Sequence, residues 1–374
     1  MAPSLVEPAV PSIPTMNHAK EDKVPADEVE LDVPDLFTSI MSVEIVQNPH
    51  YAEVKKEADA WVAKILGYNE KQAARNSRAD FAYMVSWWVG PHCDAECLRT
   101  MIDWNHWAFY WDDQFDEGHL KHDLYGAARN IIHMMSLLDD GHPGITPEED
   151  PLGYIFQHVY RRVQKRASPV VQYRYKKYVE QYMLGVLAQV NSRKMDIETI
   201  TVDEFMLFRR ATVAAMPCMA LLEYALGIEV PQHVINHPSL QACQEVSVDL
   251  VAIHNDILSY KKDVLSGEDL SIINILRGQG KTLQEAIDGT GQMIDGCYQR
   301  WYEALLKMPS WGSTIDRNVY IYLEGIRNIA LGCLLWSFWT ERYFNREEGL
   351  LVRETRKMRL PMPPPIGGAA VKVA

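Results

Sequence analysis

The sequence predicts an all-α protein folded as a single large helical bundle. Apolar residues recur at helical spacing through long stretches from about residue 50 to residue 345, with no sustained alternation of the kind a half-buried strand needs. The stretches are separated where helices end, at Gly141-His142-Pro143-Gly144, Ser168-Pro169, Pro231, His237-Pro238, and Pro309 with Gly312. No segment repeats with a period of about 20–50 residues, which argues against a solenoid. The spacing places helices over 51–66, 79–90, 94–117, 122–138, 151–166, 170–192, 202–226, 238–264, 282–306 and 314–345.

The two ends read differently. The first fifty residues hold seven of the twenty prolines and nine acids against two lysines. Proline removes backbone donors and repelling carboxylates favour expansion, so residues 1–35 are expected to form a disordered acidic tail before a folded domain over 36–350. From Arg359 the chain reads RLPMPPPIGGAAVKVA, where Pro and Gly stop any helix, and residues 351–374 are expected to be a flexible tail.

Composition narrows the function classes. The chain has 374 residues, 37 Lys+Arg against 50 Asp+Glu, and 47% hydrophobic residues. A net charge of −13 repels a phosphate backbone, so nucleic acid is excluded as a partner. No apolar run approaches the roughly 20 residues a membrane span needs. Six cysteines are scattered without paired spacing, and the N-terminus lacks a basic region followed by an apolar one, so a reduced, cytoplasmic protein is expected. His92, Cys93 and Cys97 have no second cluster to complete a zinc site. Gly278-Gln279-Gly280-Lys281-Thr282 lacks the glycine and the preceding strand of a phosphate-binding loop. Neither HExxH nor GxSxG occurs.

Two clusters carry chemistry. Trp111-Asp112-Asp113-Gln114-Phe115-Asp116-Glu117 sets four carboxylates at the end of an aromatic, apolar stretch. Asp112 and Asp116, four apart, share a helix face, and carboxylates on a buried helix need a cation. Further along, Asn255, Ser259 and Asp263 stand at i, i+4 and i+8, a row of oxygens with Lys262 one position off it. Oxygen donors without His or Cys favour a hard ion, Mg²⁺ or Mn²⁺.

At these residues the sequence resembles the class I terpene cyclases of fungi and bacteria, and among them the fungal sesquiterpene synthases. Asp112-Asp113-Gln114-Phe115-Asp116 matches the family's DDxxD motif, and Asn255, Ser259 and Asp263 match its NDxxSxxx(D/E) triad, with the customary lysine at Lys262. Arg209 lies 46 residues before Asn255, where the family keeps a diphosphate-sensing arginine, although Arg210 adjoins it. Arg342-Tyr343 resembles the C-terminal Arg-Tyr pair, with Trp336 six residues before it. The likeness covers about residues 50–345.

The resemblance implies a class I terpenoid synthase bundle with a central cavity and a linear prenyl diphosphate as substrate. Asp112, assisted by Asp116, would hold two Mg²⁺ and the Asn255/Ser259/Asp263 triad a third, with Mn²⁺ as a substitute. Arg209, Lys262, Arg342 and Tyr343 would grip the diphosphate. Phe109 and Trp336 are the expected pocket rings, with Trp87, Trp88 and Trp107 as further candidates, and Ala108 stands where the family often keeps a second Phe. A single unit of this length points to farnesyl diphosphate, with geranylgeranyl diphosphate as runner-up, and to a monomer or homodimer. Between Ala211 and Pro217 the resemblance implies a helix break facing the pocket; an ordinary helix end before Pro217 is the alternative. A chain-elongating prenyltransferase would carry a second aspartate-rich motif instead of Asn/Ser/Asp, and a non-catalytic helical module would be marked by a lost ligand.

Overall fold

In the computed structural model, residues 27–192 and 199–366 are described. The chain opens with strand β1 (Glu28–Asp32) and enters α1 (Tyr51–Ile65), α2 (Glu70–Ala79), α3 (Phe81–Trp88) and α4 (Ala95–Asp116). There follow α5 (Leu124–Ser136), α6 (Pro151–Arg166), α7 (Pro169–Ser192), α8 (Val202–Thr212), α9 (Ala215–Leu226) and α10 (Gln232–Ile235). The last part comprises α11 (Pro238–Leu258), α12 (Tyr260–Ser266), α13 (Ile272–Gly278), α14 (Leu283–Leu306), α15 (Ser313–Trp339), α16 (Arg346–Thr355) and β2 (Lys357–Pro361).

α4 and α11 form the interior. From Cys97 to Ala108 nearly every residue of α4 is buried, and α11 is buried along most of its length. A helix apolar on all sides belongs inside a larger assembly. α4 runs among α1, α3, α6 and α9, while α11 runs among α8, α14 and α15. Their carboxyl-terminal ends carry the two oxygen-rich motifs.

Local chemistry explains where the helices start. Asp94 caps α4 by accepting the Cys97 N–H at 2.9 Å. Thr201 and Glu204 form a reciprocal capping box on α8, and Thr282 and Glu285 another on α14. Thr282, the end of the glycine-rich run, is thus a helix cap. Asp80 adopts a left-handed backbone (φ 51), so the helix predicted over 79–90 begins at Phe81; the residue closes α2 and caps α3 through the Tyr83 N–H. Its carboxylate also accepts from the Tyr51 hydroxyl at 2.8 Å and the Trp339 indole at 3.1 Å. These bonds to three other elements offset the left-handed backbone cost of about 1–2 kcal/mol.

Parts of both predicted tails form regular structure. Residues 28–32 and 357–361 pair as an antiparallel ribbon, with Val29 opposite Leu360 and Leu31 opposite Met358. Val29, Leu31, Met358 and Leu360 are buried, while Arg359 pairs with Glu30 at 2.7 Å on the outer face. α16 also lies beyond residue 345, and the Arg277 guanidinium donates to the Pro364 carbonyl. Each strand alternates apolar and charged residues, but a five-residue strand is stable only against a partner, and here the partner is at the opposite end of the chain. The rest of both predicted tails, residues 1–26 and 367–374, lies outside the described residues.

Three long predicted helices are also interrupted: 202–226 at Val213–Ala214, 238–264 at Ser259, and 314–345 after Trp339. Thr340 ends α15 by turning extended and donating its hydroxyl to the Ala79 carbonyl. Among the described residues no single helix is long and apolar enough to cross a membrane. The pair α8–α9, bent by 42°, has the length and composition only jointly, and α9 is packed inside the protein.

Candidate active site

One cavity of about 650 Å³ opens at the carboxyl-terminal ends of α4 and α11. All eleven side chains singled out from the sequence line it: Phe109, Asp112, Asp116, Arg209, Asn255, Ser259, Lys262, Asp263, Trp336, Arg342 and Tyr343. They come from α4, α8, α11, α12, α15 and the turn after α15. Helical periodicity sets the local arrangement, since Phe109, Asp112 and Asp116 recur at intervals of three and four on the inner face of α4.

The α4 wall is held from α7. Tyr182 donates its hydroxyl to Asp112 Oδ1 at 2.9 Å, and Gln189, seven residues and two turns later, donates its amide to Asp116 Oδ1. Between them Gly185 meets Ala211 of α8 so closely that an added Cβ would lie 2.6 Å from the Ala211 carbonyl oxygen. Burial, and next the facing Asp116, push the Asp112 carboxyl well above the usual carboxylate range. Asp113 points out of the cavity and takes the Arg342 guanidinium in a two-pronged pair, at 2.6 and 3.3 Å.

The opposite wall is bonded within itself. Asn255 accepts from Arg209 Nη2 at 2.9 Å and donates to the Tyr343 hydroxyl at 2.8 Å. Ser259 donates to Asp263 Oδ2 at 2.6 Å. Burial lifts the Asp263 carboxyl to about 6. Arg209 also reaches Asp256 Oδ1 at 2.8 Å; burial disfavours its charge, but Asp256 and Asp116 hold the guanidinium above its ordinary value. Across the mouth Lys262 pairs with Glu117 at 2.6 Å and Lys121 with Glu268 at 3.0 Å.

Two alternatives open in the sequence are decided by geometry. Arg210 turns away from the cavity to Asp249, at 2.6 and 2.9 Å, and to Glu245, so Arg209 alone of the pair faces it. The helix break falls at Val213–Ala214, with Ala214 left-handed (φ 58), and Val213, Ala214 and Ala215 all line the cavity. Pro217 sits in the first turn of α9, where its missing N–H would have had no helical partner.

Phe109 stacks on Phe81 with centroids 4.3 Å apart, lies 5.3 Å from Trp336, and has the Arg342 guanidinium 5.3 Å above its ring. Trp336 donates its indole N–H to the Ala79 carbonyl. Of the three further tryptophans, Trp88 lines the cavity. Trp107 instead packs between Trp111 and Phe156 in the core, and Trp87 packs on Tyr83. Sequence reasoning missed Tyr182, Gln189, Trp104, Phe208 and the buried His254 as lining residues. Asp256, which holds Arg209, and Asp113, which holds Arg342, had a signal in their place beside Asn255 and Asp112 inside the two motifs.

The donor set fits a hard divalent cation. Asp112 and Asp116 face each other in a desolvated cavity with neutral hydrogen-bond donors behind them, an arrangement a cation would neutralise. Among the described residues no three His, Cys, Asp or Glu side chains converge on one point. A bound ion would therefore complete its shell with Asn and Ser oxygens, water and ligand oxygens.

Residues 103–300 match the family model described as "Terpene synthase family 2, C-terminal metal binding". "Terpene cyclase 4" of Gibberella fujikuroi is 45% identical over 87% of this chain and 88% of its own length. "(+)-Eremophilene synthase" of the same fungus is 43% identical over 88% of this chain and 93% of its own. An a-eudesmol synthase crystal structure superposes with a TM-score of 0.69 over 79% of this chain and 96% of that one, at 20% identity, and so shares the fold. The matched segment begins at Asp103 on α4 and spans both oxygen-bearing walls of the cavity, and the chain belongs to the terpene synthase family.

Proposed function

We propose that the protein is a sesquiterpene synthase that ionises farnesyl diphosphate and cyclises the resulting carbocation to a hydrocarbon or alcohol. The observation that carries this reading is the convergence, at the mouth of one aromatic cavity, of oxygen donors on two facing walls with Arg209, Lys262, Arg342 and Tyr343 between them. The names of the fungal relatives, among them an eremophilene synthase, support a cyclase. Asp112 and Asp116 on one side, and Asn255, Ser259 and Asp263 on the other, would hold Mg²⁺, three ions in all by the family pattern. Bound Mg²⁺ supplies Lewis-acid neutralisation of the charge that develops on the diphosphate.

The chain's own residues do the rest. Arg209 and Arg342 present planar guanidinium forks that can take two phosphate oxygens each and stay charged, while Lys262 adds a point charge and Tyr343 a hydroxyl donor. Their present partners, Asp256, Asp113 and Glu117, keep these cations placed and compensated before substrate arrives. Beyond the mouth, Phe109 and Trp336 offer π faces that stabilise a passing cation by about 0.5–2 kcal/mol each without supplying a nucleophile. To protect it, the walls around these rings would have to keep out the water that would quench the cation. All six cysteines are free thiols, which supports a reducing, cytoplasmic setting.

The test is incubation of purified protein with C10, C15 and C20 prenyl diphosphates and Mg²⁺, with and without EDTA, followed by mass spectrometry of an organic extract. A Mg²⁺-dependent C15 product bears out the proposal. A longer prenyl diphosphate formed only with added isopentenyl diphosphate would overturn it in favour of chain elongation, and products from C20 alone would reassign the substrate.

A further inference from the structure

The end of the cavity remote from the aspartates is closed by a contact that no motif marks. α3 and α15 run antiparallel: Trp336 bonds to Ala79 and lies beside Phe81, whereas Gly332, one turn earlier, meets Met84 and Trp88. Travelling along α15 from Arg342 toward Ile329 therefore means travelling inward, with Trp88 the innermost ring of α3. On α4 Trp104 lies eight residues before Asp112, about 12 Å deeper at 1.5 Å per residue. Trp88, Trp104, Cys218, Ile329 and Cys333 all line the cavity there.

Gly332 is buried in the interior of a 27-residue helix, where glycine costs about 1 kcal/mol relative to alanine. A Cβ at this position would lie 2.5 Å from Trp88 Cδ1, 2.8 Å from its Nε1 and 3.0 Å from the Met84 carbonyl oxygen. The missing side chain is what lets the indole lie against the α15 backbone instead of in the cavity. The indole N–H has only the Cys333 thiol beside it, a weak acceptor, and no stronger partner. No strong hydrogen bond therefore pins the ring in its recess.

We propose that Gly332 and Trp88 together set the depth of the cavity and so the length of prenyl chain it accepts. This rests on the prenyl diphosphate reading above and adds the residues that determine specificity. With glycine at 332 the indole is recessed and a C15 chain fits; a methyl there drives the ring inward, and removal of the ring extends the cavity.

The experiment measures turnover and products of C10, C15 and C20 diphosphates for wild type, Gly332→Ala, Trp88→Phe, Trp88→Ala and the double variant Gly332→Ala/Trp88→Phe. Affinities for the unreactive thiolodiphosphate analogues of the C15 and C20 substrates are read beside them. Gly332→Ala is expected to lower C15 turnover about tenfold and to raise the share of acyclic products, and the smaller ring of the double variant to restore both. Trp88→Ala is expected to raise the C20-to-C15 ratio, in turnover and in analogue affinity, about tenfold or more. An unchanged C20-to-C15 ratio in Trp88→Ala, or a folded Gly332→Ala with wild-type products, would overturn the proposal. If Gly332→Ala fails to fold by circular dichroism, Trp88→Ala alone decides. A wild type inert toward every diphosphate would instead overturn the catalytic reading, and the analogue affinities would still judge the depth assignment.

Discussion

The two walls that face each other across the cavity mouth carry similar oxygens but are held in opposite ways. On α4, Asp112 and Asp116 rest on the neutral donors Tyr182 and Gln189, while the nearby cation Arg342 is engaged by Asp113, outside the cavity. Across the mouth, Asn255 is bonded to Arg209 and Tyr343, and Ser259 to Asp263. The first wall thus sets two carboxylates side by side in a desolvated place, and burial, with Asp116 next to it, raises the Asp112 carboxyl. The second has a closed network that arriving ligand must rearrange. A divalent cation at the first wall would relieve two like charges held close in a desolvated place, whereas at the second it would have to displace hydrogen bonds already made. This asymmetry assigns the two walls different sensitivities.

Asp112→Ala should break the comparison most severely. Turnover should fall by about 10³-fold or more, with helical circular dichroism unchanged, because the charge that receives the cation is gone. Asn255→Ala should also abolish measurable turnover, through loss of a ligand oxygen and of the Arg209 and Tyr343 contacts. If both variants stay active, neither wall holds the metal.

Tyr182→Phe separates the walls more finely. Loss of the hydroxyl frees Asp112 to rotate, so apparent Mg²⁺ affinity should weaken about 10–100-fold while the rate at saturating Mg²⁺ changes less. The rise in melting temperature on adding Mg²⁺ with inorganic diphosphate should need correspondingly more metal. An unaltered Mg²⁺ dependence would show that α7 does not position the aspartates.

Phe109→Ala and Trp336→Ala act beyond both walls and should change the product mixture toward early-quenched species. Trp336→Ala should also lower stability, since it removes a buried indole bonded to Ala79 at a cost of about 3–5 kcal/mol. Phe109→Ala is accordingly the cleaner probe, and identical product profiles would place the cation-stabilising rings elsewhere.

An effect felt only in acid concerns His254, directly before Asn255. It is 1% exposed, and burial depresses its imidazole to about 3. In the unfolded chain that imidazole protonates below about 6.5, so between these values the unfolded state binds the extra proton. Stability should therefore decline as pH falls from about 6.5 toward 3, by up to about 1.4 kcal/mol per pH unit from this residue. His254→Leu should flatten the urea-midpoint-against-pH curve between pH 6 and 4. A parallel curve would mean that His254 takes up its proton in the folded state.

Most of the helices and both motifs were legible because they are local. The spacing of Asp112 and Asp116, or of Asn255, Ser259 and Asp263, fixes a shared face as soon as the segment is helical, and the apolar neighbours on α4 signal burial. Helices α2, α10, α13 and α16 were missed, α10 being a single turn of four residues. α2 is polar, α13 is seven residues long, and α16 fell beside a stretch dominated by proline and glycine.

The sequence by itself determined the all-α architecture and the two oxygen rows, because helical periodicity converts spacing into direction, while the resemblance to the class I terpene cyclases implied Phe109, Arg209, Lys262, Trp336, Arg342 and Tyr343. Only the tertiary structure decided that Arg209 rather than Arg210 enters the cavity, that α8 and α9 part at Ala214, that Tyr182 and Gln189 support the aspartates, that Trp88 rests on Gly332, and that residues 28–32 find residues 357–361. Each depends on a contact between segments far apart in the chain. Such a contact is selected by the packing of the whole interior, and no local pattern encodes it.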